Sequence, residues 1–410
     1  MNLPTPLLRL SSPVTTRVTK WRDERLGEAK HDDRVAAILG LALGACFLVC
    51  FITGLLSHLI QHPTSWFHWT ARPAGLYRFT QGLHVVTGVA SIPLLFAKLW
   101  SVFPRLFKWP LFRDPLELLE RLSLLPLVGG AIFMVVTGVA NIELWYPWVF
   151  FFPAGHFAVA IVTMGALLIH IAAKITVTRR VVKRVPLDVV PVGAGPVEAA
   201  VVEAGPVEAA GVGNGRRQFI AVAVASSAAL ALVTVGQTVS PLKNLALLAP
   251  RHPDIGVQGF PVNKTAVEAG VTETSNDPNF RLTVEQNGIV LRSFSIDEIR
   301  SMNSRTATLP IACVEGWSAN RVWRGISMRS LVELAGGKDV VQVSVESLQR
   351  GGRYRRSIID ENEYTDVDTL LAFMVDDQML APDHGYPLRL IAPNRPGVLQ
   401  TKWVGKLVIS

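Results

Sequence analysis

The sequence predicts an all-α membrane bundle of four helices plus a fifth anchoring span, followed by a soluble α+β domain. Two observations carry this reading. Five runs of roughly 20 apolar residues lie before about residue 240, and short alternating runs with turn signals follow it. Half of the 410 residues are hydrophobic and only 18% are charged, and the apolar mass sits almost wholly in the first part. The expected organisation is a cytoplasmic segment at 1–33, a four-helix domain at 34–180, a linker at 181–215, an anchoring span at 216–241 and a soluble domain at 250–410.

The apolar runs fall near 35–59, 76–100, 122–144, 154–177 and 218–240, each long enough to cross a bilayer as a helix. The formal charge of +8 follows from the retention of Lys and Arg on the cytoplasmic side of the spans, which excludes nucleic acid as the expected partner. Arg22, Arg25, Lys30 and Arg34 precede the first run; Lys98, Arg105, Lys108, Arg113 and Arg121 separate the second from the third. Lys174, Arg179, Arg180, Lys183 and Arg184 follow the fourth, whereas 143–155 carries no basic residue. The N-terminus is therefore expected inside the cell (inner) membrane. The soluble domain is expected on the periplasmic or extracellular side, with lipid around the spans.

Four histidines lie within or at the ends of the spans: His58, His84, His156 and His170. Ionisable groups there are costly and mark functional sites. His156 and His170 are fourteen residues apart, nearly four whole turns, so they project from almost one face about 21 Å apart along the axis. That register suits one or two b-type haems held between facing helices. Counted from the nearest inner basic residue, His58 and His156 stand roughly 34–36 Å up, His84 roughly 21 Å and His170 roughly 6–14 Å. Depth therefore pairs His58 with His156 and His84 with His170. This part resembles the four-helix b-type cytochrome subunits of formate dehydrogenases and nickel-iron hydrogenases, and the haem partner of the periplasmic methionine sulfoxide reductase. The formate dehydrogenase pattern implies a different pairing, His84 with His156, and leaves His170 to a first-helix histidine, for which only His31 is available.

Between the two parts, "AGPVEAA" occurs twice, at 194–200 and 204–210, as an extended linker without a core. "GRRQFI" follows. Arg216 and Arg217 ahead of an Ala-rich apolar run read either as a twin-arginine export signal or as ordinary inner-side charges before a fifth span. Both readings put the chain after about residue 241 outside.

In the soluble part, "FRLTVEQNGIVLRSFSIDEIR" predicts strand, Asn-Gly turn, strand and a short helix opened at Ser295. "KDVVQVSVESL", "YPLRLIAP" and "KWVGKLVIS" read as strands and "SMRSLVELAG" as a helix. Of three cysteines, Cys46 and Cys50 lie in the first span, so Cys313 has no cysteine partner outside the membrane.

Cys313 heads "CVEGWSANRVWRGISM", which resembles the sulfite oxidase fold, most closely the molybdenum subunit of the periplasmic methionine sulfoxide reductase. The resemblance implies that Cys313 is the thiolate ligand of molybdenum and that Trp317 stands beside the reaction site. It also implies a molybdopterin cofactor contacted by Asn263, by Ser347 in place of a Thr, and by His384 in place of an Asn. Arg389 falls where the family binds the cofactor phosphate, and Gln400, Thr401 and Lys402 fall on its pterin-holding run. A soft thiolate suits a redox metal, and Arg and Lys suit phosphate. Arg321, Arg324, Arg350, Arg353, Arg355 and Arg356 form either a solvated basic face or a guide for an anionic or oxide substrate.

The expected function is a membrane-anchored molybdenum oxidoreductase. It would exchange electrons with the quinone pool or another membrane donor through haem, and reduce a sulfoxide or related oxide, free or protein-bound. The alternatives are an oxidase of sulfite-like anions that donates to quinone, and a binding module on a membrane cytochrome. An intact Cys313 speaks against the last.

Overall fold

The computed structural model describes residues 32–64, 66–106, 115–183, 210–249 and 251–410. Most of the 1–33 segment with His31, and most of the linker with both "AGPVEAA" units, lie outside the described residues. The chain forms two compact units: residues 1–48, 88–136 and 158–230 in one, and 49–87, 137–157 and 231–410 in the other.

Among the described residues, five helices are long and apolar enough to cross a membrane: α1 (Asp33–Gln61), α2 (Leu76–Leu106), α3 (Pro115–Ile142), α4 (Phe152–Lys183) and α5 (Ala210–Val235). Large apolar side chains such as Leu48, Ile52, Leu168 and Leu232 face outwards, as helices solvated by lipid require. In the first unit, Val35, Leu39 and Leu43 pack with Leu94, Leu95, Ala131 and Ala223. The fifth helix begins before the arginine pair rather than at it. Arg216 makes an ion pair with Asp32 at 2.5 Å, so this arginine has a local partner at the start of α1. The helix ends at Val235 because Gly236 turns the chain. A Cβ there would stand 2.3 Å from the Leu242 carbonyl.

Beyond it, two five-stranded sheets form the α+β body of the second unit. One has the order β2 (Ile289–Ser295), β1 (Arg281–Gln286), β10 (Val404–Ile409), β5 (Val343–Ser347), β6 (Arg356–Ile359), with only β1 and β10 parallel. The other runs β3 (Arg305–Ala312), β4 (Ser318–Ser327), β7 (Leu370–Val375), β8 (Gln378–Met379), with β9 (Arg389–Ile391) also paired to β7.

Local chemistry accounts for the elements. Asn287 and Gly288 both take positive φ in the two-residue turn between β1 and β2. Ser295 caps the next helix, α6 (Ile296–Ser301), in a reciprocal box with Glu298. Gly336 closes α7 (Met328–Ala335) in the left-handed conformation. The main core gathers Leu282, Val284, Phe294, Leu331, Val345, Leu390 and Leu407 from the first sheet, α7 and β9. A second core, around Phe260, Trp317, Trp323 and Ile391, sits under the Cys313 loop.

Candidate active site and histidine pair

β3 ends at Ala312 and β4 begins at Ser318, and these two residues are paired, so Cys313–Trp317 is the loop that closes a hairpin. Cys313 N donates to Trp317 O at 2.9 Å and Gly316 N to Cys313 O at 3.1 Å, with Gly316 at φ +98°. Trp317 is buried and donates its indole N–H to Glu315 Oε2 at 3.0 Å. Arg251 stands 3.6 Å from the same oxygen. Burial raises the Glu315 carboxyl above its ordinary range, against the pull of Arg251. Burial likewise pushes the Cys313 thiol well up, with nearby Glu315 adding to the effect.

The Cys313 loop borders a cleft with about 250 Å³ of empty space, partly open to solvent. Asn263, Cys313, Trp317, His384, Arg389 and Lys402 line it, so the fold gathers these sequence-predicted residues from far-separated segments. Lys402 Nζ donates to the carbonyls of Lys264 (2.6 Å) and Asp383 (2.8 Å). Arg389 Nη1 donates to His384 O at 3.1 Å, while its buried Nε has no partner. His384 Nε2 lies 2.6 Å from Val257 O and its ring stacks on Phe260 at 3.7 Å.

Neither Arg389 nor Lys402 pairs with a carboxylate among the described residues. Burial pushes Arg389 down to about 9. Burial and then repulsion from Arg389 push Lys402 down to about 7, and His384 falls to about 3 for the same two reasons. Gly385, at φ +109°, lets the 384–386 backbone cross Lys402; a Cβ there would stand 3.1 Å from the lysine Cβ.

The other predicted residues do not line the cleft. Arg321 donates to the carbonyls of Gly259 and Pro253, stands 3.6 Å from both Asp254 and Asp376, and lies over the Phe260 ring. It ties the 253–260 segment to β4. Ser347 Oγ accepts from Gln349. Thr401 Oγ1 is 2.7 Å from Ser357 Oγ, and Gln400 Nε2 donates to Arg395 O at 3.2 Å. Both pin the segment that presents Lys402. Pro261, Ile311 and Gly397 line the cleft and were not anticipated. A Cβ on Gly397 would meet Ala312 O at 3.0 Å, so the Pro-Gly of "NRPGV" was the signal for that close approach.

The histidines separate by unit. His84 and His156 come together, with ring centroids 6.4 Å apart and planes at 65°. Imidazoles bound on opposite sides of one metal at about 2 Å place their ring centres about 6 Å apart. Each Nδ1 is held by the preceding helix: His84 by Cys50 O (2.9 Å) and Thr53 Oγ1 (3.1 Å), His156 by Thr137 Oγ1 (3.0 Å). That leaves Nε2 for a metal, the outer-sphere arrangement typical of ligating histidines. Gly54, next to Thr53, gives the His84 ring room, since a Cβ there would stand 3.1 Å from His84 Cε1; at Gly138 a Cβ would lie at an ordinary contact distance of 3.8 Å from His156 Cε1.

The depth pairing is thus replaced by His84 with His156. His58 instead stacks on Phe157 at 3.6 Å and on His62 at 4.4 Å. His170 lies in the other unit with its buried Nδ1 unpartnered. The physical reason is Lys174. Its ammonium pairs with Glu120 at 2.5 Å, beside the inner-side Arg121, so Lys174 rather than Arg179 is the starting point for α4. Counted from Lys174, His156 stands about 27 Å up, closer to the roughly 21 Å of His84 than to the roughly 36 Å of His58.

The family described as "Oxidoreductase molybdopterin binding domain" matches residues 269–410. Nitrate reductase [NADH] 1 of Phaseolus vulgaris is 33% identical over 105 residues, 23% of this chain and 12% of that protein. Nitrate reductase [NADH] 1 of Nicotiana tabacum is 28% identical over 160 residues, 31% of this chain and 18% of that protein. The chain therefore spans less than a fifth of the length of these relatives. The sulfane dehydrogenase SoxCD of Paracoccus pantotrophus is similar at 22% identity and a TM-score of 0.29, covering 32% of this chain and 38% of that one. The cleft fits such a cofactor on its own chemistry: a buried guanidinium and ammonium that make no ion pair among the described residues suit an anionic group, and the thiol beside them suits a soft metal. The C-terminal region of this chain is a molybdopterin-binding oxidoreductase domain.

Proposed function

We propose that the protein is a membrane-anchored molybdenum oxidoreductase that takes electrons from the quinone pool through a b-type haem and reduces a sulfoxide or related oxide outside the cell membrane. The observation that carries this reading is the Cys313 thiol at a cleft whose Arg389 and Lys402 have no anionic partner. A molybdopterin held there would supply two-electron oxygen-atom chemistry, in which two electrons and two protons would turn the oxide oxygen into water. The protein groups bind and orient. Cys313 would offer the thiolate, Arg389 and Lys402 would neutralise the anionic end, and Asn263 would add a polar contact from the cleft lining. Glu315, clamped by Trp317 and Arg251, fixes the loop that aims the thiol. His84 and His156, whose rings approach to 6.4 Å, would hold the haem iron, and the threonine behind each ring sets its orientation.

Dithionite-driven turnover of sulfoxides, with sulfite oxidation as the competing assay, tests the direction; oxidation without reduction contradicts it. On topology, reporter fusions at Pro196 and Ser410 are expected in opposite compartments, Pro196 inside. The same compartment for both removes the fifth span as a crossing.

A pH dependence follows from the cleft. Lys402 keeps its proton up to about 10.5 when unfolded but only below about 7 in the folded, cofactor-free cleft. The unfolded chain therefore binds more protons between those values, and stability falls as pH drops from about 10 to about 7. Arg389, pushed down to about 9, acts in the same direction at its upper end. Thermal melts of protein produced without cofactor should show this slope, and cofactor-loaded protein should flatten it, because a bound anion restores both protonated forms. Equal slopes in the two forms would contradict an anionic occupant beside Lys402.

A further inference from the structure

The loop that carries Cys313 is also the surface on which the outer ends of the helices meet the oxidoreductase domain, all within the second unit. One carbonyl takes both contacts. Val314 O accepts from Gln81 Nε2 at 3.3 Å and from Asn141 Nδ2 at 3.1 Å. Gln81 lies three residues before His84 on α2, and Asn141 lies four residues after Thr137 on α3. Thr137 is the residue that holds His156. The peptide next to the thiol is therefore hydrogen-bonded to both helical systems that set the histidine pair.

A second contact runs beside the first. Gly316 packs so closely on Val85, the residue after His84, that a Cβ would stand 3.2 Å from the valine Cγ2. At φ +98° the position is also strained for any side chain. Thr238 Oγ1 donates to Gly316 O at 2.6 Å and Ser318 N donates to Gln237 O at 2.8 Å, so the end of the fifth span fixes the loop from another side. Hydrogen bonds here are buried or half-buried, and leaving such a carbonyl unsatisfied is costly.

We propose that the Cys313–Trp317 loop is the built electron bridge of this chain. The Val314 carbonyl, gripped by Gln81 and Asn141, and the Gly316–Val85 contact connect the His84/His156 site to the Cys313 thiolate. The inference rests on the haem and molybdenum reading above. Each transfer moves one electron from haem iron to molybdenum, with no bond made or broken and no soluble carrier. Gln81, Asn141 and Gly316 are positioning residues; none touches the metal sites.

The test uses the full-length protein in detergent with both centres oxidised. A flash-photoreduced flavin delivers one electron to the haem. The haem absorption band and the molybdenum EPR signal are then followed together. In the wild type the haem signal is expected to decay, and the molybdenum signal to rise, in one first-order phase whose rate does not change on dilution. In a Gln81→Leu, Asn141→Leu variant this phase slows, while haem spectrum, haem content and molybdenum content stay at wild-type values. A wild-type rate that falls with dilution means transfer between molecules and overturns the bridge, even if the variant fails to fold. An unchanged rate in a variant loaded with both centres overturns it too. Wild-type protein lacking either centre removes the reading beneath the inference, and the inference with it.

Discussion

Cys313→Ser is expected to abolish turnover of oxide substrates while leaving the haem spectrum of the membrane part intact. A hydroxyl replaces a soft thiolate at nearly constant volume, and the side chain is buried in a loop closed by its own backbone hydrogen bonds. The hairpin should therefore survive the change. The variant is expected to reach the membrane with its haem reducible by dithionite. Its turnover in a dithionite-driven assay should lie at the background of heat-inactivated protein. Full activity in this variant would remove Cys313 from the metal site. Loss of haem together with activity would point instead to a folding defect, and Ser318→Ala, in the same hairpin but not among the residues that line the cleft, serves as the folding control.

The second large effect concerns the histidines. His84→Ala or His156→Ala is expected to remove the bis-imidazole haem spectrum almost completely, because each ring is one of two facing ligands and its helix has no substitute beside it. His58→Ala should keep that spectrum, since its ring stacks on Phe157 and His62 rather than on His84 or His156. Thr137→Val should retain haem but shift its potential or spectrum, by removing the hydrogen bond that orients His156. Spectra and haem-to-protein ratios of the four purified variants check this. Full haem in His84→Ala would remove His84 as a ligand, and loss of haem in His58→Ala would restore the depth-based pairing of His58 with His156.

These two sites show why some of the molecule was legible in the sequence and some was not. The Asn-Gly turn, the Ser295 cap and the strands at 343–347, 389–391 and 404–409 follow from local chemistry, and they stand where the sequence pattern predicts. Asn263, Cys313, Trp317, His384, Arg389 and Lys402 meet at one cleft, because a motif can carry a long-range arrangement that propensity cannot. Gln400 and Thr401 directly precede Lys402 but turn to Arg395 and Ser357, and a run of contacting residues does not reveal which member points inward.

The depth pairs are not the rings that meet, and an ion pair shows why. Arg179 looks like the inner-boundary charge of α4, yet Lys174 is the residue that pairs with Glu120 at 2.5 Å, so depth counted from Arg179 lifts His156 too far from His84. A better signal was present in Thr53 and Thr137, whose hydroxyls each meet a ring from the next helix, with Gly54 adding close approach at the first. The docking of Asn394 was invisible for another reason. Its side chain receives the Tyr77 amide at 2.5 Å and donates to Thr70 O at 2.5 Å, and its carbonyl takes the Trp69 indole at 3.0 Å. These contacts join residues more than 300 positions apart, and nothing periodic announces them.

The most direct measurement of the central claim is the cofactor content of the purified full-length protein: molybdenum by elemental analysis, pterin after oxidation to its fluorescent form, and haem from the pyridine haemochrome spectrum. A chain in which the Cys313 cleft and the His84/His156 pair are both real centres carries equal molybdenum and pterin together with b-type haem, and loses molybdenum but not haem on Cys313→Ser. Protein that folds and inserts with haem but without molybdenum or pterin would contradict the oxidoreductase assignment of the cleft, and protein with molybdenum but no haem would contradict the membrane relay.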